Sequence, residues 1–390
     1  MAQTKVGELL NLIPDKILEK IGNDLEVDKV NQFLTGKTVF KALLFSLAET
    51  TRVSLRCIEN VYNSVMFKQY LDDDKKKVKG RHSSFSDRLR KIKVEYFAGM
   101  FQYLVETYHD KLTSKEGAKI YRFDATVIGI SAKLFDGLNC GGSKNNGRRH
   151  LKVVIGQKGL MPSSVHFCTN QSEVSDDIAL KKAIIEASVS SDDIIVFDRG
   201  LQSGKTFITF DELNKKFVTR IKVDRKHQVL ENYKLPDFSD NNEGQIIADQ
   251  KITLWDNEKN KFFDIPFRLI KVLTPKQEIW ILTNIFDLSA YEVAQVYRRR
   301  WDIEVFFRFI KQELNCKHFL ARNKNGLMVY IYMILILAIL LLLYKTLNSL
   351  KGFKFVKVAF FRELQNEIIC DLIKMSGGDP EIFLKKFGLS

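Results

Sequence analysis

The sequence predicts an α/β protein: a mixed sheet core with a β-rich insertion, joined to a helical N-terminal domain. Three observations predict it. Apolar residues recur at helical spacing through residues 1–112, and again from Ser289 onward. After Lys115 the period changes to that of strands. Between those limits, strand and helix patterns run in the order strand, strand, strand, helix, strand, helix, strand. No internal repeat and no low-complexity segment interrupts this order.

In the first segment Leu9, Leu10, Leu12, Ile13, Ile17, Leu18 and Ile21 fall near helical spacing, with Pro14 at a helix start. Residues 40–55 carry another apolar face. Residues 75–93 then hold nine basic residues against one acid, Asp87. Such a run reads either as a solvated face or as a phosphate contact. Ser83, Ser84 and Ser86, just ahead of Arg88, Arg90 and Lys91, favour the second, since hydroxyls and cations at a helix start suit phosphate oxygens.

Residues 119–126 (KIYRFDAT) form the first expected strand. A Gly/Asn-rich loop at 137–147 leads to strands at 151–155 and 164–169. An amphipathic helix at 176–187 opens on acids, as its dipole prefers. A buried-type strand at 193–198 (DIIVFD), a helix at 203–214 and a strand at 216–223 follow. Within 224–286, residues 244–255, 261–272 and 278–283 alternate as an antiparallel set. The domains expected are therefore 1–112, helical and basic; 113–223 with 287–350, the core; 224–286, the insertion; and 351–390, a C-terminal helical segment. Residues 327–344 are 18 residues without a charge, the lower edge of a membrane span. A helix buried on all sides has the same composition. Basic flanks on both ends (Arg322, Lys324, Lys345) give a span no orientation, so a core helix is expected.

Composition narrows the function. An apolar fraction of 45% and a charged fraction of 28% exclude long disorder, and 390 residues suffice for two or three cores. Lysine and arginine outnumber acids 61 to 47, a net +14, which favours a polyanionic partner such as nucleic acid. Five cysteines (Cys57, Cys140, Cys168, Cys316, Cys370) lie far apart with no CxxC, against a disulfide framework or a zinc module. The opening residues, MAQTKVGE, lack the apolar run of a signal peptide, so a cytoplasmic protein is expected.

Two glycine-rich stretches imitate phosphate loops. Residues 200–206 (GLQSGKT) follow a strand and open a helix, yet Arg199 stands where the first glycine belongs. Residues 137–144 have serine and lysine in the wrong order. Cys316 and His318 are too few for zinc.

The acids carry more. Asp124 closes the first strand and Asp198 the buried one. Each alone reads as a cap or turn former. In this topology the first and fourth strands are neighbours, so both carboxylates share one sheet edge. Two close carboxylates repel unless a cation lies between them, and oxygen ligands suit magnesium or manganese. On a helix through residues 297–313, Tyr297, Arg300, Glu304 and Lys311 fall within roughly 60° of one another at about 100° per residue. Asp302 and Glu313 point the other way. The row is either one wall of a site or a plain i,i+4 Arg300–Glu304 ion pair.

The spacing Tyr297-x2-Arg300-x3-Glu304-x6-Lys311 resembles the Y-R-E-K signature of bacterial insertion-sequence transposases of the DDE superfamily. Trp301 fits some members, and Asp124 in FDAT and Asp198 in FDRG resemble the family's first two acids. The resemblance spans residues 115 to about 345; Leu201 departs from it, standing where an aromatic often follows Asp-Arg-Gly.

The resemblance implies an RNase H-like core interrupted by the β-rich insertion. It implies cut-and-paste chemistry on double-stranded DNA at terminal inverted repeats, by a homodimer in a synaptic complex. It also implies two Mg2+ or Mn2+ ions per active site, held by Asp124, Asp198 and Glu304. Tyr297, Arg300 and Lys311 would contact phosphates, and Trp301 would stack on a flipped base or simply pack in the core. A nucleoid-associated protein, away from membranes, is expected. The rivals are a nuclease of the same fold without strand transfer, and a DNA-binding protein with a vestigial site.

Overall fold

A computed structural model of the chain describes residues 13–31, 33–50, 52–69, 71, 76–113, 119–130, 149–235, 244–314 and 323–387. Leu9, Leu10, Leu12, Lys75, the loop at 137–147 with Cys140, and Cys316, His318 and Arg322 lie outside them. The chain forms two compact units. One is helical, from the residues up to Leu112 and those from Arg308 onward; the other runs from Thr113 to Phe307.

The second unit is built on one sheet: β1 (Ile120–Ile130), β2 (Arg149–Lys158), β3 (Met161–Cys168), β4 (Ile194–Phe197), β5 (Lys216–Ile221), β6 (His227–Asn232), β7 (Gln245–Asp256), β8 (Lys261–Phe262), β9 (Phe267–Leu273) and β10 (Glu278–Thr283). Its order is β3-β2-β1-β4-β5-β10-β9-β7-β6, with β8 on β7. β1, β4 and β5 are parallel, and β2 runs against β1 and β3. That order and those directions make an RNase H-like core, as expected.

Alternation explains why β4 is buried on both sides. Ile195 and Phe197 join Tyr121, Phe123 and Phe217 on one face, while Val196 joins Ile120 and Val218 on the other. The first face is covered by helices at Asp176–Glu186 and Gly204–Glu212, through Ala179, Leu180, Ala183, Phe207 and Phe210. The second is covered by a helix at Ala290–Arg298, through Ala290, Val293 and Ala294.

Three differences from the sequence reading have physical causes. The β-rich residues extend the core sheet through β10 on β5. The strand expected at 261–272 is two, β8 and β9, because Pro266 has no N–H for a ladder. β6 was not expected: nearly all of its residues are exposed, so no burial period marks it.

Numbered along the chain, the helices are α1 (Asp15–Asp24), α2 (Gly36–Glu49), α3 (Leu55–Asn63), α4 (Val65–Lys68), α5 (His82–Lys91), α6 (Val94–Leu112), α7 (Asp176–Glu186), α8 (Gly204–Glu212), α9 (Ala290–Arg298), α10 (Trp301–Gln312), α11 (Lys324–Leu347), α12 (Phe353–Met375) and α13 (Pro380–Phe387). α11 is long and apolar enough to cross a membrane, yet 89% of its apolar stretch is buried. α2, α5, α6 and α12 pack around it. Residues from Arg308 onward thus belong with the N-terminal helices, not with the core to which the sequence reading gave 287–350.

Candidate active site

The register of β1 on β4 pairs Phe123 with Phe197. The next residue along each chain segment is an acid. Asp198 lies one residue past β4, whereas Asp124 does not close β1 as expected but lies within it, because β1 stays paired with β2 as far as Ile130. The two acids stand side by side on adjacent parallel segments. Asp124 Oδ1 accepts the Ala125 N–H at 2.8 Å, and Asp198 Oδ1 accepts the Arg199 N–H at 2.7 Å. The Tyr297 hydroxyl reaches Asp198 Oδ1 at 3.5 Å. Arg300 Nη2 donates to Glu304 Oε1 at 2.6 Å, with its guanidinium 5.9 Å from the Tyr297 ring. Arg300 Nε is buried and has no hydrogen-bond partner among the described residues.

Electrostatics tie the three acids together. Burial lifts Asp124 to about 6; the Ala125 N–H and Arg300 oppose that rise, and the charges of Asp198 and Glu304 add to it. Burial, then the Asp198 charge, pushes Tyr297 up to about 12.

The row of Tyr297, Arg300 and Glu304 is not carried by one helix. α9 ends at Arg298 and α10 begins at Trp301, with Arg299 and Arg300 in the turn between. The turn stays tight, because Arg300 N donates to Tyr297 O (3.0 Å) and Ile303 N to Arg300 O (3.2 Å). Arg300 thus still meets both Glu304 and the Tyr297 ring across the break. Lys311 lies seven residues beyond Glu304 on α10, in the part of that helix grouped with the helical unit. Trp301 is 53% exposed, which removes core packing as its role.

Sequence reasoning missed Arg122. Only 2% exposed on β1, it donates to Asp302 Oδ2 (2.7 Å), Arg299 O (2.5 Å) and Gly159 O (3.2 Å). It ties the α9–α10 turn to the sheet. A charge within a strand pattern gives no signal of this, and Asp302 is its partner.

In the helical unit the three expected DNA contacts separate. Arg88 is 6% exposed and donates to Leu34 O, Val27 O and Asp28 Oδ1 at 2.8, 3.0 and 2.7 Å. It holds the fold and is not available to DNA. Arg90 and Lys91 are exposed, and Lys91 lines a 570 Å³ groove with Lys29, Lys79 and Ser84.

Among the described residues, one trio of ligand atoms closes to within 4.8 Å: His166, Cys168 and Glu173. Glu173 is already satisfied. Burial works against its charge, but the Asn170 N–H, Lys182, the Thr169 N–H and His166 outweigh that and hold it at about 2. The trio is a capped turn, remote in kind from an all-oxygen site.

Two acids on adjacent parallel segments of the sheet, with a helix-borne glutamate whose charge acts on the first of them, make up the candidate site of this RNase H-like core. Residues 116–341, more than half of the chain, match the family described as Transposase DDE domain, and the chain belongs to that family. A protein named as transposase y4zB, from Sinorhizobium fredii, is 27% identical over 62% of this chain and 65% of its own length. The chain thus spans just under two thirds of that relative. A protein named as a transposase for insertion sequence element IS4SA, from Synechocystis, is 25% identical over 66% of this chain and 70% of its own. The solved synaptic complex of piggyBac transposase with hairpin DNA overlaps 95% of this chain and 82% of its own, with a TM-score of 0.48 and 10% identity.

Proposed function

We propose that the chain is a cut-and-paste DNA transposase of the Y-R-E-K group, cleaving and joining double-stranded DNA at terminal inverted repeats. The observation that carries this is the pairing of Phe123 with Phe197, which sets Asp124 beside Asp198. The donor set fits a divalent cation: three carboxylates, no sulfur or imidazole, and an Asp124 whose pKa is raised by burial, with the charges of Asp198 and Glu304 adding to the rise against Arg300. Asp124, Asp198 and Glu304 would hold Mg2+ or Mn2+, two ions per site in this reading. Bound there, the ions would activate the attacking hydroxyl and stabilise the leaving oxygen.

The remaining residues work on the DNA. Arg300, whose Nε has no partner among the described residues, is suited to a phosphate oxygen beside the scissile bond. Releasing Glu304 from Arg300 frees both groups at once, the carboxylate for the metal and the guanidinium for phosphate. Tyr297 stays protonated at neutral pH and donates its hydroxyl. The exposed Trp301 ring offers a face to an unstacked base. Arg90, Lys91 and Lys311 supply phosphate contacts. The working form is a homodimer in a synaptic complex, in the cytoplasm on the nucleoid.

A plasmid assay with Mn2+, with and without terminal repeats, tests this. Repeat-dependent excision and joined products are expected. Cleavage indifferent to repeats and without joining would make the protein a nuclease. Binding without cleavage would make its site vestigial.

A further inference from the structure

Asp198 leaves the sheet on a loop, residues 198–203, that is fixed by groups outside the site. The Gln202 side-chain amide donates to the carbonyls of Arg199 (2.9 Å), Leu201 (3.0 Å) and Arg220 (3.2 Å), and its Oε1 accepts the Lys222 N–H (3.2 Å). The loop is thereby stapled to β5.

Its other side is held by the first turn of α7. Asp177 Oδ1 accepts the N–H groups of Gln202 (2.7 Å) and Ser203 (2.8 Å). Asp176 lies against Gly200 so closely that a Cβ there would stand 2.5 Å from Asp176 Oδ2. Asp176 is gripped in turn by Lys152 of β2, which is 2% exposed and 2.6 Å away, and which also donates to Val174 O at 2.7 Å.

Acids in a first turn are ordinarily explained by the helix dipole alone. These two reach out of their own helix. Asp177 occupies the amides where a phosphate would sit in a nucleotide-binding loop, so the GLQSGKT stretch is closed by the protein's own carboxylate.

We propose that Asp176, Asp177 and Lys152 are positioning residues for Asp198, locking the loop so that its carboxylate faces Asp124. The proposal rests on the reading of Asp198 as a catalytic acid. A misplacement of about 1 Å at a reacting group lowers rate by about 100-fold, and loss of groups supporting a metal ligand weakens metal binding roughly 10- to 100-fold.

The test uses the full-length protein and the variants Asp177→Ala, Asp177→Asn, Gly200→Ala and Asp198→Asn. Mn2+ affinity is read by electron paramagnetic resonance on DNA-free protein, alongside thermal midpoint, DNA affinity and cleavage rate. Asp177→Ala is expected to bind Mn2+ roughly 10- to 100-fold more weakly and to cleave correspondingly slowly, with DNA affinity unchanged. Asp177→Asn keeps an oxygen for both N–H groups and should recover most of both losses. Gly200→Ala, which displaces Asp176 without touching Asp177, should show the same loss. Wild-type Mn2+ binding and cleavage in both Asp177→Ala and Gly200→Ala would overturn the proposal, as would losses matched wholly by unfolding. With Asp198→Asn inactive, that outcome leaves the transposase reading standing. An active Asp198→Asn would remove both.

Discussion

Three carboxylates share one site with the Arg300 guanidinium, which pairs with Glu304, and Asp124 carries the consequence. Burial, with Asp198 and Glu304 adding, lifts it to about 6 from an ordinary 3.8. A raised carboxyl pKa means that the folded chain binds the proton more tightly than the unfolded one. Folding is therefore penalised by the Asp124 charge above pH 6, and the penalty fades as pH falls through 6 toward 3.8. Asp124→Asn should accordingly raise the thermal midpoint of metal-free protein at pH 8, with little gain near about pH 4. Calorimetry at both pH values checks this; no gain at pH 8 would contradict the site's electrostatics. Mn2+ should stabilise the wild type and not the variant. Asp124→Asn, Asp198→Asn and Glu304→Gln should each abolish cleavage while DNA affinity persists, since phosphate contacts elsewhere supply it. Normal turnover in any one of them would remove that residue from the site.

At the scale of elements, what the sequence discloses depends on whether burial leaves a period. β1 and β4 are legible because Tyr121 and Phe123, and Ile195 and Phe197, alternate up to an acid. β6 leaves no period because almost nothing on it is buried. The break between α9 and α10 is equally silent: Arg299 and Arg300 are neither glycine nor proline, so no residue announces the turn. The helical phasing that joins Tyr297, Arg300 and Glu304 assumed one continuous helix, and the helix is interrupted between Arg298 and Trp301. Arg122 and Arg88 were illegible for one shared reason. A cation is read as solvated, and only the folded chain shows carbonyls gathered around it. Because Arg122 holds both Arg299 O and Asp302, Asp302 is no neutral neighbour of the site. Asp302→Ala should lower stability by about 1–3 kcal/mol, below the 3–5 of a fully buried pair since Asp302 is half-exposed. Asp302→Asn, which keeps an acceptor, should lose less. Urea denaturation of both distinguishes this from a surface acid, for which the two would match.

For the whole molecule, an excess of +14 on 390 residues is a statement about partners. Of the basic run, Arg90 and Lys91 are exposed and Arg88 is not. Neutralising Arg90 and Lys91 together should weaken DNA binding and flatten its log–log salt slope by roughly 0.9 for each lost phosphate contact. Arg88→Ala should instead unfold the helical unit, because Asp28 loses its ion pair, keeping only the Gly36 N–H, and the carbonyls of Leu34 and Val27 lose the guanidinium. An unchanged slope in the double variant would make the run a solvated face. α11 poses the remaining question of scale, since its composition alone suits a bilayer. Its packing argues otherwise: α2, α5, α6 and α12 surround it, and Asn325 at its start donates to the carbonyls of Leu89 (2.9 Å) and Ile92 (2.7 Å). Among the described residues this packing buries 89% of its apolar stretch. Leu337, wholly buried at its centre, is the sharpest probe. Leu337→Asp places an unpaired carboxylate in an apolar core, at a cost of several kcal/mol against a total stability of about 5–15. The helical unit should unfold, measured as loss of helical circular dichroism, and wild-type protein should leave the nucleic-acid-bound fraction with salt alone. A folded Leu337→Asp variant, with wild-type protein recovered only in detergent, would show that the helix meets lipid.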